Sequence, residues 1–299
     1  MPLWIAATLI ACTLQALRFL LQKRLAGGGG GLGPVAATFA RFVYAPFVLG
    51  LALMAWRLGG GAALPPLGEG FWPFAFAGGV SQILATVLVV ATFAQRNFSV
   101  GIALSKTTVL MTIVVGAVVL GEVPSGPAIV AIVVGVLGVV AISVPRGVRW
   151  RAALSDRAVA FGLGAGAFFA VSGVSYRGAT LAVGSDEALL RAAVTLFFVT
   201  ALQSAILGAW MAWRDRAALR GTFRRWRVSG AIGATSMLGS LAWFTAYTTQ
   251  QAALVNAVGQ VELVLTLAIS AFLLQERVTA REVAGTLLIG GSVAAILLV

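Results

Sequence analysis

Apolar runs about as long as a bilayer is thick follow one another along almost the whole of this 299-residue chain. A hydrocarbon core about 30 Å thick takes roughly 20 apolar residues as helix. Measured that way, the sequence predicts ten spans, near 3–22, 34–57, 72–94, 99–120, 124–144, 158–180, 188–211, 228–250, 254–274 and 279–298. Only 10% of the residues are charged, too few for a soluble domain, where about 25% is usual. The expected fold class is an all-α polytopic membrane protein with ten transmembrane helices.

What is scarce narrows the chemistry. Cys12 is the single cysteine, so a disulfide scaffold is excluded. The chain has no histidine, which removes ordinary zinc sites and histidine proton relays. Nothing calls for a metal or any other cofactor. The start Met1-Pro2-Leu3-Trp4 lacks a basic n-region, so a cleaved signal peptide is not expected. The net charge of +12 is no nucleic-acid signal, because the basic residues lie between spans and not on one face of a soluble fold.

Their placement predicts sidedness. Odd-numbered loops carry Lys23, Arg24, Arg96, Arg146, Arg149, Arg151, Arg157, Arg214, Arg216, Arg220, Arg224, Arg225, Arg227, Arg277 and Arg281, while even loops and tails carry Arg57. The positive-inside rule makes the odd loops cytoplasmic and puts both termini outside, in a bacterial inner (plasma) membrane. The run Gly27–Gly31 lacks the Lys-Ser/Thr of a phosphate loop and reads as a flexible connector. Thr279 and Glu282 have the spacing of a capping box for the last helix.

The chain also repeats. Shifted by about 154 residues, Glu122 meets Glu276, Thr112 meets Thr266, Gly79 meets Gly233, Ala103 meets Ala257 and Lys23 meets Arg177; Arg41 meets Arg191 at a slightly smaller shift. Two five-helix repeats are expected, 1–145 and 158–299, joined by a basic cytoplasmic linker, 146–157. An odd number of spans per repeat inverts the second, an architecture of secondary transporters with the substrate site near the midplane.

The stretches Ala103-Leu104-Ser105-Lys106-Thr107-Thr108-Val109 through Gly121-Glu122, and Val258-Gly259-Gln260-Val261-Glu262-Leu263 through Gln275-Glu276, resemble the fourth-helix signature of the EamA-type proteins. These belong to the drug/metabolite transporter superfamily. The resemblance implies a ten-helix carrier, usually an exporter of amino acids, metabolites or toxic small molecules. In the family pattern a Glu-Pro pair precedes the span-ending glutamate. Here Glu262 is followed by Leu263, and the first repeat has Thr108-Val109, so neither helix carries the proline for a kink.

Charged groups inside a bilayer need a reason. Arg18, Arg41, Arg177 and Arg191 lie near span ends and read first as snorkelling or helix-capping residues. Lys106 and Glu262 are deeper, each roughly 12–13 Å into its span at 1.5 Å per residue. The repeat symmetry can bring them together as a mid-membrane pair. Substrate arriving between them could switch the protonation of Glu262, which is the minimum equipment for proton coupling. Alternatively Lys106 holds a substrate carboxylate, or the pair is a static brace between repeats.

Ser236, Ser240, Trp243 and Tyr247 share one helical face, and Gln82, Thr86, Val89 and Phe93 occupy the repeat-equivalent one. Such a stripe suits either a cavity wall or close helix packing. With Gln15, Asn256 and Gln260 as further amides within spans, the expected substrate-binding set is Lys106, Gln15, Gln82, Trp243, Tyr247, Asn256 and Gln260.

These features predict an alternating-access secondary transporter of a small amphipathic solute such as an amino acid, metabolite or drug-like cation. Export rests on the family resemblance alone. The alternative is a lipid flippase or scramblase with a laterally open cavity. An enzyme is disfavoured, for want of histidine, paired carboxylates within a span and a nucleophile motif. The expected partners are the solute and membrane lipids. No nucleic acid or obligatory protein partner is expected, since one chain with both repeats can form a complete pathway as a monomer.

Overall fold

The computed structural model describes residues 1–26, 32–61, 63–92, 104–143, 157–273 and 279–298. The run Gly27–Gly31, linker residues 146–156, and Phe93, Ala103, Gln275, Glu276 and Arg277 lie outside the described residues. The chain is a multi-pass, all-α membrane protein. Seven stretches are long and apolar enough to cross a membrane, and the shorter apolar helices Thr108–Leu120 and Ala252–Leu265 accompany them.

In chain order the helices are α1 (Leu3–Ala26), α2 (Gly33–Phe42), α3 (Ala45–Leu58), α4 (Phe71–Thr92), α5 (Thr108–Leu120), α6 (Gly126–Ser143) and α7 (Arg157–Leu181). There follow α8 (Ala188–Arg214), α9 (Arg216–Arg224), α10 (Trp226–Thr249), α11 (Ala252–Val258), α12 (Val261–Leu273) and α13 (Ala280–Leu298). The Thr279–Glu282 capping box forms at the start of α13. Thr279 donates its backbone N–H to Glu282 Oε2 at 2.7 Å, and Glu282 donates its own to Thr279 Oγ1 at 3.3 Å.

Three expected spans are not continuous rods. The stretch 34–57 divides into α2 and α3 at a turn through Val43 and Tyr44, just ahead of Pro46, which has no N–H to continue the ladder. The fourth span breaks at Lys106–Thr107 before α5, and the ninth at Gly259–Gln260 between α11 and α12. Neither of these two breaks needs a proline. Thr107 Oγ1 donates to Leu104 O at 2.7 Å, offering the backbone a turn in place of a helix. Gly259 sits so close to the indole of Trp243 that a Cβ there would lie 2.6 Å from it.

One helix was not legible as such. The arginine-rich stretch after the seventh span folds as amphipathic α9, whose first turn is capped by Asp215 Oδ1 accepting from the Ala218 N–H at 2.9 Å.

The most extensive packing joins α4 to α7, α1 to α10 and α6 to α13. Small residues carry it, as expected where lipid removes the hydrophobic drive between helices. The buried face of α7 runs through Gly162, Ala165, Gly166, Ala170, Ser172, Gly173, Gly178 and Ala179. Between α6 and α13 the backbones touch: a Cβ on Gly138 would lie 2.7 Å from the carbonyl oxygen of Gly285. Outward faces stay apolar, with Leu3, Ile10 and Leu17 exposed on α1 and Val114 and Val118 on α5. That surface suits lipid.

Candidate functional site

The two breaks in the fourth and ninth spans meet. Lys106 Nζ donates to Glu262 Oε2 at 2.7 Å, and their side chains are 15% and 8% exposed. Gln15 of α1 donates to the same oxygen at 2.9 Å. Gln260 donates its amide to the Lys106 carbonyl at 3.4 Å, and Cys12 donates its thiol to the Gly259 carbonyl at 3.3 Å. Side chains from neighbouring helices therefore satisfy carbonyls at both breaks, as irregular backbone at membrane depth requires.

The expected Lys106–Glu262 pair is thus formed, tied to α1 through Gln15. Gln15 also accepts from Arg18 Nη2 at 3.2 Å, so the polar junction continues along α1. A separate chain runs from Tyr247, whose hydroxyl donates to Asn256 Oδ1 at 2.8 Å, to Thr112, whose hydroxyl accepts from Asn256 Nδ2 at 3.0 Å. Tyr247 stacks on Trp243 with ring centroids 5.7 Å apart.

Beside the junction, Gln15, Arg18, Arg41, Thr235, Ser236, Gly239, Ser240 and Trp243 line a cavity of about 170 Å³, including its open mouth. Of the residues expected to bind substrate, Gln15 and Trp243 lie on its wall. Lys106, Glu262 and Gln260 form the polar junction; Tyr247 stacks on Trp243 and is itself held by Asn256. Gln82 is buried on α4 between Ser172 and Arg41; with its amide turned so that the oxygen faces the guanidinium, it accepts from Arg41 at 3.0 Å (Nη1) and 2.6 Å (Nη2) while its nitrogen donates to Ser172.

Arg18 and Arg41 depart from the expected snorkelling or helix-capping role. They are 2% and 4% exposed, so their guanidinium groups are inside the protein. Arg41 also donates to Thr86 at 2.8 Å. The two cations are close enough to repel each other, and Glu262 is near enough to Arg18 to offset part of this. The spacing of Gln15 and Arg18, three residues apart on α1, was the available signal that both look inward.

For the other two arginines the capping reading is right. Arg177 pairs with Glu122 at 2.7 Å and donates to the carbonyls of Tyr247 and Gln250 at 2.7 and 2.8 Å, closing the C-terminal end of α10. Arg191 donates to the Thr180 carbonyl at 2.7 Å, at the end of α7.

Residues 156–298 match the EamA-like transporter family, part of the drug/metabolite transporter superfamily, as the sequence motifs had implied. No curated protein matches the chain. A solved structure described only as the crystal structure of a protein aligns over 98% of this chain and 98% of its own, with a TM-score of 0.65. At 16% identity the likeness is one of fold alone.

Proposed function

We propose that this chain, an EamA-family membrane protein by its match over residues 156–298, is a secondary transporter that moves a small amphipathic solute by alternating access, with Glu262 as the proton-coupling group. The observation that carries the reading is the junction where two interrupted spans meet. A carboxylate and an ammonium pair at 2.7 Å beside a cavity, on backbone that can rearrange. Interrupted helices that gather their ionisable groups at the centre of a bundle are the usual substrate and ion sites of such carriers.

Two inverted five-helix units, 1–145 and 158–299, underlie the reading. Exchanging the units turns the α4–α7 contact into α10–α1 and maps α6–α13 onto itself, which are the three most extensive contacts in the bundle. The breaks at Lys106–Thr107 and Gly259–Gln260 exchange as well. The basic odd loops face the cytoplasm of a bacterial cell, so the Arg177–Glu122 pair lies at the outer end of the pathway and seals it in this state. Export of an amino acid or metabolite is the direction the family resemblance favours. The solute and the surrounding lipid are the partners, and one chain is the working unit.

The test is reconstitution in liposomes containing a pH-sensitive dye, with a panel of amino acids, small cations and metabolites. A solute-dependent proton flux that vanishes in Glu262→Gln, while solute exchange persists, is the expected result. A variant that still drives concentrative uptake from a pH gradient removes Glu262 from the coupling role. Silence for every soluble solute, with folded and oriented protein, transfers the weight to a lipid substrate.

A further inference from the structure

We infer that Arg18 and Arg41 form an anion-binding head site in the central cavity, so that the solute this protein carries is a small organic anion. The inference deepens the transporter reading and rests on it for the identity of the cavity, though the site itself is defined by the residues that line it.

Both guanidinium groups are almost fully buried, at 2% and 4% exposure, and both line the same cavity. Their partners are neutral: Gln15 for Arg18, Thr86 and Gln82 for Arg41. Neither has a carboxylate within ion-pair distance among the described residues. Arg18 Nη1, Arg41 Nε and the hydroxyl of Ser236, which lines the same cavity, have no hydrogen-bond partner among the described residues. A buried guanidinium is always protonated and has only donors to offer. Two of them held by neutral groups are a costly arrangement unless an acceptor-only group joins them.

The charge balance points the same way. Around the junction and cavity, Arg18, Arg41 and Lys106 face Glu262 as the single carboxylate among the described residues, and Lys106 already takes that carboxylate at 2.7 Å. Two positive charges are left for the cavity. A carboxylate, or the oxygens of a phosphate-type head, matches the planar forks of the arginines.

Trp243 lines the same cavity. Trp243, held by its stack on Tyr247, presents an indole against which a flat apolar body can lie. The cavity is small, and two guanidinium forks with no carboxylate on them among the described residues decide what it takes. Among the solutes the sequence allowed, this selects acids and disfavours cations.

A series that changes only the head group tests the inference: phenylacetate, benzylphosphonate, phenylacetamide and phenethylamine. Binding to the purified full-length protein is followed by calorimetry, and exchange by counterflow in liposomes. At least one of the two anions should bind saturably and about tenfold or more tighter than the amide, with the amine weakest. The better anion shows whether the site takes carboxylate or phosphate-type heads. Arg18→Gln and Arg41→Gln should each weaken that anion about tenfold or more and leave the amide unchanged, and Arg41→Lys should restore part of the loss.

Equal binding of anion and amide, no binding of either anion, or anion binding indifferent to both glutamine variants overturns the site. Should the glutamine variants fail to elute as folded protein, the wild-type contrast between anion and amide decides alone. Head-group preference without exchange keeps the site and overturns the transporter reading. Exchange without head-group preference does the reverse.

Discussion

Removing Lys106 should destabilise the protein more than removing the charge of its partner, and removing both should cost less than removing Lys106 alone. Glu262 Oε2 accepts from Lys106 at 2.7 Å and from Gln15 at 2.9 Å. In Glu262→Gln the amide oxygen still accepts both bonds, so the loss is the difference between charge-assisted and neutral hydrogen bonds, about 1 kcal/mol each and about 2 kcal/mol together. Lys106→Met leaves a buried carboxylate with its cation gone. Breaking a buried pair from one side costs about 3–5 kcal/mol; the bond from Gln15 and the nearby Arg18 keep this near the lower end.

In the double variant no charge is stranded and the Gln15 bond survives, so the interaction between the two substitutions should be about 2 kcal/mol or more. Reversible unfolding in mixed micelles of increasing SDS content, followed by circular dichroism, measures all four proteins. Costs that add within about 0.5 kcal/mol, the range of independent sites, would refute the view that the pair fastens the two interrupted spans together.

Three further outcomes follow from single contacts. Arg177→Met should lower stability by about 3 kcal/mol, since it strips Glu122 of its partner and uncaps the end of α10; a thermal melt indistinguishable from wild type removes that role. Gly138→Ala should cost about 1–3 kcal/mol by forcing α6 from α13, because its Cβ meets the backbone of Gly285 at 2.7 Å; an unchanged melt would mean the helices separate freely. Asn256→Leu cuts the link from Tyr247 to Thr112 and strands the Tyr247 hydroxyl, while Thr112 keeps its bond to the Thr108 carbonyl, for a loss of about 1–2 kcal/mol. Tyr247→Phe made in the Asn256→Leu background should then add little, and full additivity would show the three groups do not act as one chain.

Length and hydropathy alone marked the chain as a multi-pass, all-α membrane protein, because a bilayer of fixed thickness imposes a fixed run of apolar residues on any chain that crosses it. The repeat expected from the sequence aligned Lys106 with Gln260 and placed Glu262 within reach of both. Those residues do meet, as side chains at the same depth on neighbouring helices can. Helix breaks were harder to read. The turn at Lys106–Thr107 has no proline or glycine to announce it, and that at Gly259–Gln260 follows from an indole on another helix pressing on a glycine.

Which face of each helix looks inward was the least legible feature. In water, a polar face marks the outside; in lipid the outside is apolar too, so Ile10 and Leu17, exposed, and Ala11, fully buried, look alike in sequence. For the same reason Arg18 and Arg41 could be placed near span ends but not inside or outside the protein. Snorkelling and burial need the same residue at the same depth, rotated about the helix axis. Only the packing of α1 against α10 and of α2 against α4 set that rotation, and with it turned two unremarkable arginines into the wall of a cavity.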